Sequence, residues 1–201
     1  MPSRQCENDL MSAHTQHRRP DVTTVELVGG VEARTLELLD YDPHWPKVYR
    51  EHEQRIRSAL APLTVDIEHI GSTSVPGLAA KPIVDIVVAV DDITAEEDYL
   101  DALLAAGYVL RVREPEHRLV RTPARDIHVH IYERGHAAIC EYLLLRNHLR
   151  FDAADRELYE RTKRTLLTRQ WDDMNAYSDA KTEVIVAIKN RARARLDTEP
   201  V

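Results

Sequence analysis

The chain has 201 residues, 43% of them hydrophobic and 30% charged, and a net charge of −7. That balance fits one soluble globular domain with enough chain to bury a core, and the acidic sum argues against a general nucleic-acid binder. No apolar run approaches the roughly 18 residues of a membrane helix. No N-terminal apolar segment reads as a secretory signal, and Cys6 and Cys140 share no metal or redox spacing, so a cytoplasmic protein without a disulfide framework is expected.

Residues 1–23 are polar, aperiodic and contain two prolines, which reads as a disordered tail ahead of a single domain over 24–201. A short strand is expected near Leu36–Leu39. Trp45, Val48, Tyr49, His52, Ile56 and Leu60 recur at helical spacing, predicting an amphipathic helix with Pro46 in its first turn. "VDIEHIG" reads as a strand ended by Gly71. "PIVDIVVAV" is apolar at both parities, the pattern of a strand covered on both faces. Thr94 and Glu97 form a capping box before a helix that Gly107 terminates. "YVLRV", "HRLVRT" and "DIHVHIY" read as strands, and helices follow near 137–150, 153–169 and 176–195. The last carries the basic run "KNRARAR", which suits a helix C-terminus. The order predicts an α/β fold, a mixed sheet with flanking helices.

Asp85 is the one acid in the apolar run of "PIVDIVVAV", and a lone carboxylate there is costly to bury without a cation or metal. The bland reading puts it at the open end of the strand, capping a turn or pairing with an arginine. Thirteen residues earlier comes Ser72, after Gly71. Glycine lets backbone approach a ligand closely, and successive N–H groups with the hydroxyls of Ser72, Thr73 and Ser74 can receive an anion. Lys81, just before the strand, can meet a phosphate as a point charge. In "RDIHVHIYE" period two places Asp126, His128 and His130 on one face, a credible metal half-site; a solvent-facing polar strand gives the same alternation. Histidine ligands favour manganese, zinc or iron over magnesium. Glu68 and His69 flank the turn and point to opposite faces, so only one of them can face the site. Arg118, Arg146 and Lys181 can converge on phosphates or act as surface cations lying over apolar neighbours.

With these residues in view, the chain resembles the GrpB family. The similarity runs from "YDPHWPKVY" through "IEHIGSTSVPGLAAKPIVDI", then His117-Arg118, Ile127–Val129, "LRNHLR" and "YSDAKTEVI". The resemblance implies a nucleotidyltransferase-like fold, with some relatives fused to dephospho-CoA kinase. Relatives often carry aspartate where this chain has Asn147, and asparagine or histidine where it has Asp126. Nucleotidyltransferases normally place a second acid two residues after the first, where this chain has Val87.

The reading expected from these residues is a one-metal nucleotidyltransferase-like enzyme. It would move a nucleotidyl group from ATP or another NTP to a small acceptor. Asp85 with His128, Asp126 or His130 would hold Mg or Mn, or else Zn. Gly71, Ser72, Thr73, Ser74, Lys81, Arg118, Arg146 and Lys181 would bind phosphates, and His69 or His128 would serve as general base. Two alternatives stay open: a module that binds a nucleotide or phosphorylated metabolite without turning it over, and a histidine-ligated metal phosphoesterase.

Overall fold

The computed structural model describes residues 17–32, 37–168 and 180–198. Six strands form one sheet: β1 (Glu26–Leu27), β2 (Asp66–Ile70), β3 (Val84–Val90), β4 (Val109–Glu114), β5 (His117–Arg121) and β6 (Ile127–Glu133). Their spatial order is β1-β4-β5-β6-β3-β2. The β3–β6 pair is parallel and the others are antiparallel, so the sheet is mixed. Among the described residues five α-helices flank it: α1 (Trp45–Leu60), α2 (Glu96–Ala105), α3 (Ala137–Phe151), α4 (Ala153–Leu167) and α5 (Thr182–Thr198). This is the expected α/β arrangement of a mixed sheet with flanking helices.

Side-chain alternation splits the sheet into two unlike faces. Ile67 of β2, Val84, Ile86 and Val88 of β3, Val120 of β5 and Ile127, Val129 and Ile131 of β6 bury one face. Against them pack Trp45, Ile56 and Leu60 of α1 and Tyr99, Leu100 and Leu103 of α2. On the other face Ile70, Val87 and Tyr132 meet Ala138, Ile139, Tyr142 and Leu143 of α3. A third cluster, including Val75, Leu78, Leu149, Tyr159 and Ile188, ties α3, α4 and α5 to the loop after β2.

The helix ends have identifiable causes. His136 caps α3 by accepting from the Ala138 N–H, and the Asp152 carboxylate caps α4 by accepting from the Asp155 N–H. Gly107, at φ 96°, closes α2. Its N–H donates to the Leu104 carbonyl while the Tyr108 N–H donates to that of Leu103, a paired C-terminal cap. The capping box expected from Thr94 and Glu97 does not form. Ala95 occupies the N-cap without a side-chain bond, and Thr94 turns back to donate to Asp92.

The expected strand near Leu36–Leu39 reduces, among the described residues, to a single bridge between Leu39 and Ala80. Positions 176–179 of the expected last helix lie outside the described residues, as do 1–16 of the expected tail. Residues 17–23 of that tail lie on the domain: Arg18 pairs with Asp98, Arg19 with Glu97, and Asp21 with Arg118. Among the described residues no helix is long and apolar enough to cross a membrane.

Candidate functional site

The β2–β3 connection makes the site. After Ile70 the chain bends at Gly71, with φ at 70°, into a single 3-10 turn over Ser72–Ser74. A left-handed φ favours glycine, and here close packing adds a second demand: a Cβ at residue 71 would lie 2.4 Å from Asp85 Oδ2. The bend therefore rests directly on the carboxylate of the second residue of β3. Ser74 holds the bend by donating its hydroxyl to the Gly71 carbonyl at 2.6 Å.

Register brings the imidazoles to the same acid. Asp85 pairs with His128 and Val87 with His130 across the parallel β3–β6 pair. His128 Nδ1 lies 3.6 Å and His130 Nε2 3.8 Å from Asp85 Oδ1. One ligand atom from each of the three residues falls within 4.8 Å of the others. Burial pushes the Asp85 carboxyl up, but His130, His128 and His69 outweigh it and hold the acid below its ordinary range. A carboxylate and two imidazoles make a donor set suited to Mn, Fe or Zn, and a poorer one for Mg.

Beside this cluster opens a crevice lined by Ser72, Thr73, Lys81, Asp85, Lys163 and Lys181, with Leu38 and Ile83 as its apolar part. Lys163, from α4, is nearly sealed at 3% exposure. It donates to Ser72 Oγ at 3.2 Å and to the Ala79 carbonyl, over the Tyr159 ring. Burial, then the nearby charge of Lys181, pushes its pKa down to about 7. Burial also lowers Lys181, against the pull of Asp85. Cationic and hydroxyl groups around one acid can receive a phosphorylated anion.

Sequence reasoning assigned no role to Lys163. Its signal was a lysine on the apolar face of α4, in helical register with Tyr159 and Leu166. His117 was also left without a role. Its Nε2 meets His130 Nδ1 at 3.1 Å and its Nδ1 meets Glu114 Oε1 at 2.6 Å. Burial first, then the neighbouring His130, pushes His117 down to about 4.

Several expected site residues lie elsewhere. His69 pairs in register with Ile86, so it faces α1 rather than the crevice. It stacks on Tyr49 at 4.8 Å, bonds Thr73 Oγ1 at 3.1 Å, and is pushed down to about 4 by burial. Arg118 also faces the closed side, opposite Ile131, where it donates to Glu96 at 2.6 Å and Asp21 at 2.5 Å. Asp126 precedes β6 and accepts from Thr122 in the β5–β6 turn, so it does not join the cluster. Ser74 is spent on the turn. Arg146 is on the α3 side but occupied: it donates to Glu68 at 2.6 Å, to the His69 carbonyl at 2.9 Å and to Asn147 Oδ1 at 3.0 Å. Val87, where a second acid would stand, is buried under α3 beside Tyr132.

Known proteins share this architecture. A UPF0157 protein of Streptomyces coelicolor is 68% identical over 184 residues, 92% of this chain and 98% of its own. A UPF0157 protein of Halalkalibacterium halodurans is 43% identical, over 80% of this chain and 84% of its own. The crystal structure of the conserved protein GrpB from Enterococcus faecalis superposes with a TM-score of 0.69 at 30% identity, covering 80% of this chain and 99% of that one. The family profile described as GrpB protein matches residues 35–191, taking in the Gly71 bend, Asp85 and both cluster histidines, and with these relatives it places the chain in the GrpB family.

Proposed function

We propose that this GrpB-family chain is a metal-dependent nucleotidyltransferase that moves a nucleotidyl group from a nucleoside triphosphate to a small acceptor. The observation that carries the reading is the meeting of Asp85, His128 and His130 beneath the Gly71 bend, at the edge of a crevice lined by three lysines. Asp85, His128 and His130 would hold one divalent cation. When bound, such an ion neutralises phosphate charge and aligns the reacting phosphorus. Lys81, Lys163 and Lys181, with the Ser72 hydroxyl, hold the β- and γ-phosphates. The acceptor oxygen attacks the α-phosphorus, the bond to the β-phosphate oxygen breaks, and pyrophosphate leaves while the acceptor proton passes to solvent. Val87 leaves no carboxylate for a second metal, so the lysines supply the charge such a metal would bring.

The test is a thermal-shift titration with Mn, Zn or Mg and ATP, followed by a pyrophosphate assay over a panel of small alcohols, amines and phosphates. Metal-dependent stabilisation by ATP, with pyrophosphate release lost in Asp85→Ala, supports the transferase. Stabilisation without pyrophosphate supports a binding module. An Asp85→Ala protein that binds metal and ATP like the parent sinks the reading. The two-imidazole donor set favours one rival, a metal phosphoesterase, which would release phosphate from a generic ester instead.

A further inference from the structure

His130 is held from behind by a line of contacts that a lone ligand would not need. Glu114 ends β4 and His117 begins β5, three residues on. His117 is 8% exposed, with its ring stacked on Tyr132 at 4.5 Å and on His130 at 5.3 Å. The rings are therefore fixed in orientation as well as in position.

The acceptor at the end of the line dictates where the protons sit. An ionised carboxylate only accepts, so His117 carries its N–H at Nδ1 and donates to Glu114 across 2.6 Å. With its N–H at Nδ1, a neutral His117 imidazole offers a lone pair at Nε2. His130 must donate from Nδ1 across the 3.1 Å contact. Its Nε2 is left with a lone pair directed toward Asp85 Oδ1, 3.8 Å away. In neutral His130 this sets two electron-rich atoms across the gap, which a metal ion, or a second proton on the imidazole, fills.

We infer that Glu114 and His117 are positioning residues for metal binding by His130: they impose the Nδ1–H tautomer, lock the ring and raise the basicity of Nε2. The inference rests on the metal reading above and names what makes one of its ligands competent. Metal-bound histidines commonly donate their second N–H to a carboxylate, and here one further imidazole is inserted in that line.

Two measurements test it. Long-range proton–nitrogen spectra of the metal-free wild-type protein at pH 8 should show His130 and His117 both protonated on Nδ1, the tautomer less common in free histidine. A His130 protonated on Nε2 overturns the inference even where metal binds. Manganese and zinc affinities should then fall about tenfold in Glu114→Gln and tenfold to a hundredfold in His117→Phe, with His117→Gln recovering part of the loss because its amide can still bridge the two neighbours. Affinities equal to wild type in all three variants overturn the inference and leave the metal reading standing. A wild-type protein that takes up neither ion overturns both. Where His117→Phe fails to fold, the wild-type spectra and Glu114→Gln decide.

Discussion

The face of the sheet under α1 and α2 and the face under α3, α4 and α5 both carry ionisable groups, and they treat them in opposite ways. On the first, each such group is answered by the fold. Arg118, 1% exposed, sits between Asp21 and Glu96, and His69 is stacked on Tyr49 and bonded to Thr73. On the second, Asp85 meets two imidazoles at distances too long for firm hydrogen bonds, and the crevice gathers lysines, of which Lys181 and Lys81 add to the burial that lowers the pKa of Lys163. Saturated polar groups hold a fold together, whereas like charges gathered around a crevice are costly unless an anion joins them. Strand parity assigns Asp85, His128 and His130 to the second face, and Lys163 reaches the crevice there from α4.

The sharpest way to break this contrast is to remove one charge from each face. Arg118→Met takes the guanidinium from Asp21, while Glu96 keeps Arg113, and should cost about 1–3 kcal/mol of folding free energy. Metal affinity of the folded protein should not change. Asp85→Asn should do the reverse: at least a hundredfold loss of Mn or Zn affinity, with folding free energy within about 1 kcal/mol of wild type. Urea unfolding and a metal titration on each variant check both halves. If each substitution hurts both properties equally, the division of labour between the faces is wrong.

Much of this was legible in the sequence, and each miss has its own physical cause. Period two within β6 put His128 and His130 on one face, and the structure sets both beside Asp85, the lone acid of β3. Parity within one strand, however, does not say which face of the next strand it matches; only register does. Ile70, rather than His69, pairs with Asp85, and Arg118 falls opposite Ile131, so both residues went to the closed face. Asp126 failed for a local reason: the strand begins one residue later, at Ile127, and Thr122 claims the acid for the turn. Lys163 escaped notice because it is brought to Ser72 from a helix 91 residues away in sequence, a distance no local pattern spans. The Thr94 capping box lost to Asp92, whose carboxylate reaches the same N–H first.

A substitution at the bend tests whether the open face depends on backbone as well as side chains. Gly71→Ala forces a side chain into a left-handed φ and drives its Cβ against Asp85 Oδ2. The strain should cost about 1–3 kcal/mol. Because the clash falls on the carboxylate, metal affinity should drop as well, by tenfold or more. By contrast, Gly77→Ala shares the positive φ, but its Cβ meets nothing within 4 Å, so it should lose stability without losing metal. Matching metal affinities in the two variants would show that the Gly71–Asp85 contact does not shape the site.

The smallest expected effect is a proton count at Lys163. Its pKa is pushed down to about 7 in the folded protein, while an unfolded lysine titrates near 10.4. Between those values the unfolded chain holds a proton that the folded one has released, so stability should rise as pH climbs from about 7 toward 10. Phosphates arriving in the crevice favour the charged amine and reverse the balance. ATP binding without added metal should therefore take up a proton at pH 7–8, and affinity should fall, by up to about tenfold, as pH rises from 6.5 to 8.5. Calorimetry in two buffers of different ionisation enthalpy reads the uptake directly. Lys163→Met should abolish it and flatten the alkaline rise in melting temperature, while Lys47→Met, on the exposed outer side of α1, should change neither. Proton uptake that survives in Lys163→Met would move the coupling to Lys81 or Lys181 and leave Lys163 as a structural tie between α4 and the Ser72 turn.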